Sequence, residues 1–263
     1  MERFTRIIQL IGEQRFARLQ QSSITIVGLG AVGGYALEAL VRAGVGHFRL
    51  VDFDTIQPSN INRQILALTS NIDRFKVDVA RERAHAINPD CSIDALSVFA
   101  AEETADDILA PRPDILIDAI DSLNPKTQLL TAAYNAEIPT ISSMGAALRT
   151  DPTLIRLGDI FDSTNCPLAK HIRKRLRRRN IGRGILCVYS TEKVDFDYRM
   201  ENNDTPATTH SAPPTNPYAD RGRQRNVLGS LPTLTGIFGL FIANQAILQL
   251  TGMADEHVTP EEY

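Results

Sequence analysis

The chain has 263 residues, 43% of them hydrophobic and 22% charged, with a formal net charge of −3. That length and composition suit one α/β domain with a full core, or a domain and a half, and the charge alone names no partner. Cys91, Cys166 and Cys187 lie too far apart for a disulfide framework or a zinc spacing, which fits a reducing, cytoplasmic compartment. The polar, charged stretch 2–6 reads against a secretory signal.

Residues 3–19 open with Arg3-Phe-Thr-Arg6 and continue as an amphipathic helix on Ile7, Ile8, Leu10 and Ile11, its apolar face prolonged by Phe16 and Leu19. Residues 23–27 form a short β-branched strand. Gly28, Gly30 and Gly33 follow as a G-x-G-x-x-G turn, and Val32, Ala36, Leu37 and Leu40 then repeat at helical spacing up to a capping Gly44. Residues 48–51 are the second strand, ended by Asp52. Glycines let the backbone approach a phosphate, the helix start offers free N–H groups, and an acid at the next strand end can take ribose hydroxyls. A nucleotide is therefore expected on this turn. A nicotinamide dehydrogenase would satisfy the pattern as well as an ATP enzyme.

The next loop separates those two. Pro58 and Ser59 are followed by Asn60, Asn62 and Arg63, and an arginine fork suits the oxygens of a triphosphate. Lys76 opens the helix carried on Val77, Ala80, Ala84 and Ile87; a cation there is unfavourable unless an anion sits beside it. Residues 93–98 read as a third strand, 101–109 as a short helix and 115–118 as an apolar strand of the parallel kind, closing on Asp118-Ala-Ile-Asp121-Ser. Acids at the C-terminal edge of a parallel sheet face the ligand crevice; Asp118 reads as a satisfied strand-end acid and Asp121 as a residue able to hold Mg²⁺ against phosphates. A helix over 125–136 and a strand over 139–143 complete a Rossmann-like, doubly wound and mainly parallel sheet with helices on both faces.

In the second half, 154–158 and 186–192 read as strands. Between them Lys170, Arg173, Lys174, Arg175, Arg177, Arg178, Arg179 and Arg183 occur with no acid from 170 to 183. These are eight of the 28 basic residues, so the rest of the chain carries 20 basic against 31 acidic. The basic residues are expected all round the helix, which favours a polyanion partner, nucleic-acid backbone above all, over a solvated face or a membrane surface. Cys187 reads as a buried structural thiol. Residues 200–225 read as a mobile loop whose Arg221, Arg223 and Arg225 could extend the basic patch. The uncharged stretch 228–250 is long enough to cross a bilayer but is read as a buried helix from Pro232, and the residues after Gly252 as a polar tail.

Taken together, Arg-Phe-Thr-Arg-Ile-Ile, Val-Gly-Leu-Gly-Ala-Val-Gly-Gly, Val-Asp-Phe-Asp-Thr-Ile, Ser-Asn-Ile-Asn-Arg-Gln, Phe-Lys-Val and Asp-Ala-Ile-Asp-Ser resemble the ubiquitin-activating-type adenylating family over residues 3–145. Within that family the chain is similar to the branch that dehydrates threonylcarbamoyladenosine in tRNA, through Asn-Ile-Asn-Arg-Gln, the basic helix after Cys-Pro-Leu-Ala-Lys, the Tyr-Ser-Thr-Glu stretch and the lack of paired C-x-x-C motifs. The resemblance implies one ATP-binding domain over 1–252, with a nucleotide half (1–150) and a substrate half (151–252) before the tail 253–263. It places Gly28, Gly30 and Gly33 under ATP, Asp52 on the ribose, Asn60, Arg63 and Lys76 on phosphates, Asp121 on Mg²⁺, and Arg6 in the site of the opposite subunit of a homodimer. Lys170, Arg173, Lys174, Arg175, Arg177, Arg178, Arg179 and Arg183 would hold tRNA. DNA is not expected as a partner, and a sulfur-relay protein is a further candidate. Some members carry a cysteine near the start of the last helix; 226–235 has none, so a thioester or persulfide step is not expected. Adenylation of a ubiquitin-like carrier, an NAD-dependent oxidoreductase and a non-catalytic tRNA-binding module are the rival readings.

Overall fold

The computed structural model describes residues 2–194 and 228–254. The expected loop over 200–225, with Arg221, Arg223 and Arg225, and most of the tail lie outside them. Seven strands form one sheet in the order β3-β2-β1-β4-β5-β7-β6: β1 (Ser23–Val27), β2 (His47–Val51), β3 (Ser92–Leu96), β4 (Ile115–Asp118), β5 (Thr140–Ser143), β6 (Ile155–Asp159) and β7 (Leu186–Ser190). All run parallel except β6, which pairs antiparallel with β7 at the edge. The doubly wound reading holds, and the second half adds β7 and β6 to the same sheet.

Both sheet faces are covered, so the central strands are apolar on both sides. On one face Ile24, Ile26, Leu50, Ile117 and Ile141 pack with Leu37 and Leu40 of α3 (Gly33–Ala43) and Phe238 and Ile242 of α8 (Pro232–Thr251). On the other, Val27, Val51 and Leu116 meet Ile108 of α5 (Ala105–Leu109) and Leu129 and Ala133 of α6 (Leu123–Asn135). Helix α4 (Lys76–Ile87) buries Val77 and Ala80 against the first face.

The N-terminal helix is two helices, α1 (Thr5–Ile11) and α2 (Glu13–Gln21), because Gly12 at φ +83° breaks the run. The break turns Leu10 outward to 78% exposure, whereas Ile11, Phe16 and Leu19 are buried. The apolar segment near the C-terminus is α8. Among the described residues it is the one helix long and apolar enough to cross a membrane, yet it buries Leu234, Phe238, Ile242 and Ala246 in the core. It lies so close to α3 that a β-carbon on Gly239 would come within 2.4 Å of the Val32 carbonyl oxygen. Leu240 and Phe241, on its outer side, are 48% and 42% exposed.

The basic helix, α7 (Pro167–Arg177), corrects the expectation that its charges surround it. Ala169, Ile172 and Leu176 form a fully buried stripe with Leu130, Met144 and Cys187, so the cations occupy the remaining faces. Several cations on α7 and just beyond it are committed within the chain. Arg173 is half-buried and donates to the Ser163 carbonyl at 2.7 Å and to its hydroxyl, and Arg183 is paired with Asp162.

Candidate ATP and substrate site

At Gly28 and Gly33 the glycine turn is fixed by contacts that leave no space for a side chain. Gly28 sits at φ +93° and donates to the Val51 carbonyl at 2.8 Å. A β-carbon on Gly33 would lie 1.8 Å from the Gly28 carbonyl oxygen, and one on Gly28 would lie 2.8 Å from that of Ala119. The turn therefore folds onto itself and onto the segment after β4, and delivers the N-terminus of α3 to the edge of the sheet.

Asp52, at the end of β2, is buried and holds this turn in place. Its Oδ2 accepts from the Leu29 N–H at 2.7 Å and its Oδ1 from the Asp54 N–H at 2.9 Å. Lys76, 5% exposed, donates to Asp54 Oδ2 at 3.0 Å and lies 3.9 Å from Asp52 Oδ2. The anion that a lysine at a helix start calls for is thus supplied by the protein itself. Burial pulls the Lys76 ammonium down, but Asp52, Asp54 and Asp121 together hold it above its ordinary value. Burial also pushes the Asp52 carboxyl up; Lys76 opposes that rise and Asp54 adds to it.

The loop after β2 is built by its own polar side chains. Asn60 Oδ1 accepts from the Gln57 N–H at 3.1 Å, which leaves the Asn60 amide nitrogen uncommitted by that bond. Arg63 donates from one nitrogen to the Ser59 carbonyl and Asn62 Oδ1, and a guanidinium has further donors to offer. All these groups line one cavity of about 1460 Å³, with Gly28, Gly30, Asp52, Asn60, Arg63, Lys76 and Asp121 in its wall. The cavity runs past Phe53 and Phe99, whose rings meet edge-on at 5.0 Å. It continues to Met144, Arg149, Cys166 and His171 in the second half of the chain. Its volume exceeds the usual range for a single small ligand.

Gly33 lies behind the turn rather than in the cavity wall. Arg6 is exposed on α1 and does not line its own chain's cavity. Cys91, Cys166 and Cys187 are all buried and unpaired, and burial pushes the Cys187 thiol up to about 12, far from a nucleophile's range. Of the basic-helix residues, Lys170, Lys174, Arg177, Arg178, Arg179 and Arg183 are exposed. Arg175 is half-buried and donates to Asn124, and Arg177 lies over the Phe161 ring at 5.2 Å.

Three site residues are not evident from the sequence. Asp54 sits two residues beyond the strand-end acid, where it reads simply as loop. Gln64 is buried in the cavity wall with its Oε1 unpartnered among the described residues. Lys126 is fully buried in the first turn of α6 against Asp118. The signal for Lys126 is the one that marks Lys76, a cation where a helix dipole disfavours it.

A parallel sheet that gathers a glycine turn, an arginine and a buried lysine at its C-terminal edge defines an enzyme built to bind ATP and act on its phosphates. The whole described chain conforms to that class. The chain belongs to the ThiF family, whose model matches residues 3–262. It is 38% identical over 204 residues to the tRNA threonylcarbamoyladenosine dehydratase of Bacillus subtilis, covering 76% of this chain and 80% of that protein. The Haemophilus influenzae protein of the same name is 33% identical, across 95% of this chain and 93% of that one. The crystal structure of the E. coli tRNA N6-threonylcarbamoyladenosine dehydratase in complex with AMP superposes with a TM-score of 0.82 at 29% identity, over 97% of this chain and 96% of that. The same E. coli protein has also been crystallised with ATP.

Proposed function

We propose that the protein catalyses the ATP-dependent dehydration of N6-threonylcarbamoyladenosine in the tRNA anticodon loop. One observation carries this reading: the chain aligns almost end to end with dehydratases of that name, around a cavity roomy enough for ATP and a modified nucleoside together.

The threonine carboxylate attacks the α-phosphorus of ATP and pyrophosphate leaves. The urea group of the same modification then attacks the acyl adenylate, closing a ring and expelling AMP. The carboxylate oxygen departs on AMP, so the RNA loses one water. The first step needs charge neutralisation more than a nucleophile, and the second is intramolecular, so orientation supplies much of its rate.

Gly28 and Gly30 let the phosphates approach the backbone while Gly33, behind them, lets the turn close; Asp52 takes the ribose, and Asn60, Arg63 and Lys76 meet the phosphates. Asp121 would help hold a magnesium ion, which would neutralise charge on the triphosphate; a single carboxylate fits an ion that would arrive with the nucleotide. Arg6 reaches the site of the other subunit in a homodimer, consistent with its position away from its own cavity. The exposed cations of α7 and Arg179 carry the RNA backbone, which a carrier-protein substrate would not require. A tRNA substrate fits an enzyme of the cytoplasm.

The test is the mass of the modified nucleoside. Incubated with ATP, magnesium and this protein, tRNA bearing threonylcarbamoyladenosine should yield a nucleoside lighter by one water. An unchanged mass, with the protein folded and ATP bound, removes the reading.

A further inference from the structure

Beneath the cavity floor lies an ion pair that none of the phosphate or ribose assignments uses. Lys126 and Asp118 are both fully buried, with Nζ 2.7 Å from Asp118 Oδ2. Lys126 also donates to the Ile120 carbonyl at 2.9 Å, so its side chain folds back from the first turn of α6 across the segment 119–122. Asp118 grips the same segment from the other side: its Oδ1 accepts from the Ile120 N–H at 3.1 Å and its Oδ2 from the Ser142 hydroxyl at 2.7 Å. The segment so held carries Asp121 at its far end. At its near end the Ala119 N–H donates to the Val27 carbonyl at 2.8 Å, and the Ala119 carbonyl closes on Gly28.

A buried ion pair is seldom present for stability alone, because desolvation offsets much of its attraction and an apolar pair of similar volume often serves as well. What this one adds is direction. It ties the N–H and the carbonyl of Ile120 to β4 and α6, with Ser142 of β5 bracing Asp118, and the segment so tied is where the glycine turn and Asp121 meet. Supporting groups of this kind commonly set the geometry of the groups that touch a ligand.

We propose that Lys126, with Asp118, is a positioning residue for ATP binding: the pair fixes the segment 119–122 and thereby the spacing between the glycine turn and Asp121. The proposal rests on the reading of this cavity as the ATP site. Neither side chain is placed against the nucleotide.

The experiment measures the Kd for ATP with magnesium by calorimetry, together with Tm and the KM for modified tRNA, on the full chain. Asp118→Asn/Lys126→Met removes both charges and leaves no uncompensated one. Its Tm should remain close to that of the parent protein while its ATP Kd rises by about tenfold or more, with the KM for tRNA unchanged. Ser142→Ala keeps both charges and removes one bond to Asp118, so it folds in any case; a rise of about threefold in ATP Kd is expected. An ATP Kd equal to the parent's in the double variant, or in Ser142→Ala should the double variant not fold, overturns the proposal and leaves the pair as core structure. Asp121→Asn separates the two claims. If it is impaired while the pair variants are not, the positioning role alone is lost. If it binds and turns over normally while the pair variants do not, the assignment of Asp121 is lost and the pair acts through Ala119 and Gly28.

Discussion

At the scale of single residues, Arg63 and Lys76, both proposed above to meet phosphates, are held in different ways. Lys76 is enclosed and already satisfied by Asp54, so its charge is a fixed part of the pocket. Arg63 is half-buried, and only one of its nitrogens is bonded to its own loop, so it retains donors for a ligand. Arg63→Ala should therefore leave Tm nearly unchanged and lower the dehydration rate by about a hundredfold or more. Turnover at the parent rate would move the phosphates elsewhere. That Gly28, Gly30, Asp52, Arg63 and Asp121 share one cavity was legible in the sequence because their residue types are ones that local backbone or phosphate chemistry would demand there. Asp54 was not, because a carboxylate in a loop acquires meaning only from Lys76, 22 residues on; Lys126 carried the helix-start signal, but its partners Asp118 and Ile120 meet it only once α6 packs back on the strand end.

Between elements, Glu38 of α3 joins its helix to α4. It accepts from Arg83 at 2.6 Å and from Arg42 at 2.9 Å and 2.7 Å. Burial raises its carboxyl, but the two guanidinium groups outweigh that and hold it below the ordinary glutamate value. A carboxyl depressed on folding contributes stability above its unfolded pKa, and that contribution is lost as the pH falls through the folded value. Glu38→Gln should thus cost about 1 kcal/mol at neutral pH, measured by denaturant unfolding. The difference from the parent should fade below about pH 4; a difference constant from pH 3 to 8 would mean the charge has no part in it.

Helix α7 calls for a comparable distinction. Its sequence showed the charge but not which cations are already spoken for, since a partner such as Ser163 for Arg173 is set by the fold. Lys170, Lys174 and Arg178 are exposed, and among the described residues no side-chain bond of theirs ties them to the rest of the chain. Changing all three to Ala should weaken tRNA binding and reduce its salt slope by about one for each phosphate no longer neutralised. Arg173→Ala, which removes the bonds to Ser163, should instead appear mainly as a lower Tm. An unaltered salt slope in the triple variant would remove α7 from the RNA surface.

For the molecule as a whole, the doubly wound, mainly parallel sheet was legible because alternating apolar strands and amphipathic helices leave few alternatives, whereas the antiparallel edge strand β6 was not. The break at Gly12 and the outward turn of Leu10 were hidden, since a helical apolar pattern runs through a glycine without showing its φ. The apolar stretch of α8 posed the larger question, and its glycines answer it: Gly239 is pressed against Val32 and Tyr35 of the nucleotide-binding half. Gly239→Val should destabilise the fold by about 3 kcal/mol or more, through overpacking against backbone that cannot move aside. Thermal unfolding would show it, and a parent-like Tm would mean that the two helices slide apart freely.

The continuity of the cavity from Phe53 to His171 bears on the fate of the mixed anhydride. On the proposed reading it forms in a cavity that both reactants share, within reach of its own urea group, so ring closure needs no release and recapture. Hydrolysis inside that chamber would regenerate the starting acid and leave AMP as the sole sign of a futile cycle. The ratio of AMP produced to rings closed is thus a direct gauge of how far ring closure outruns hydrolysis there.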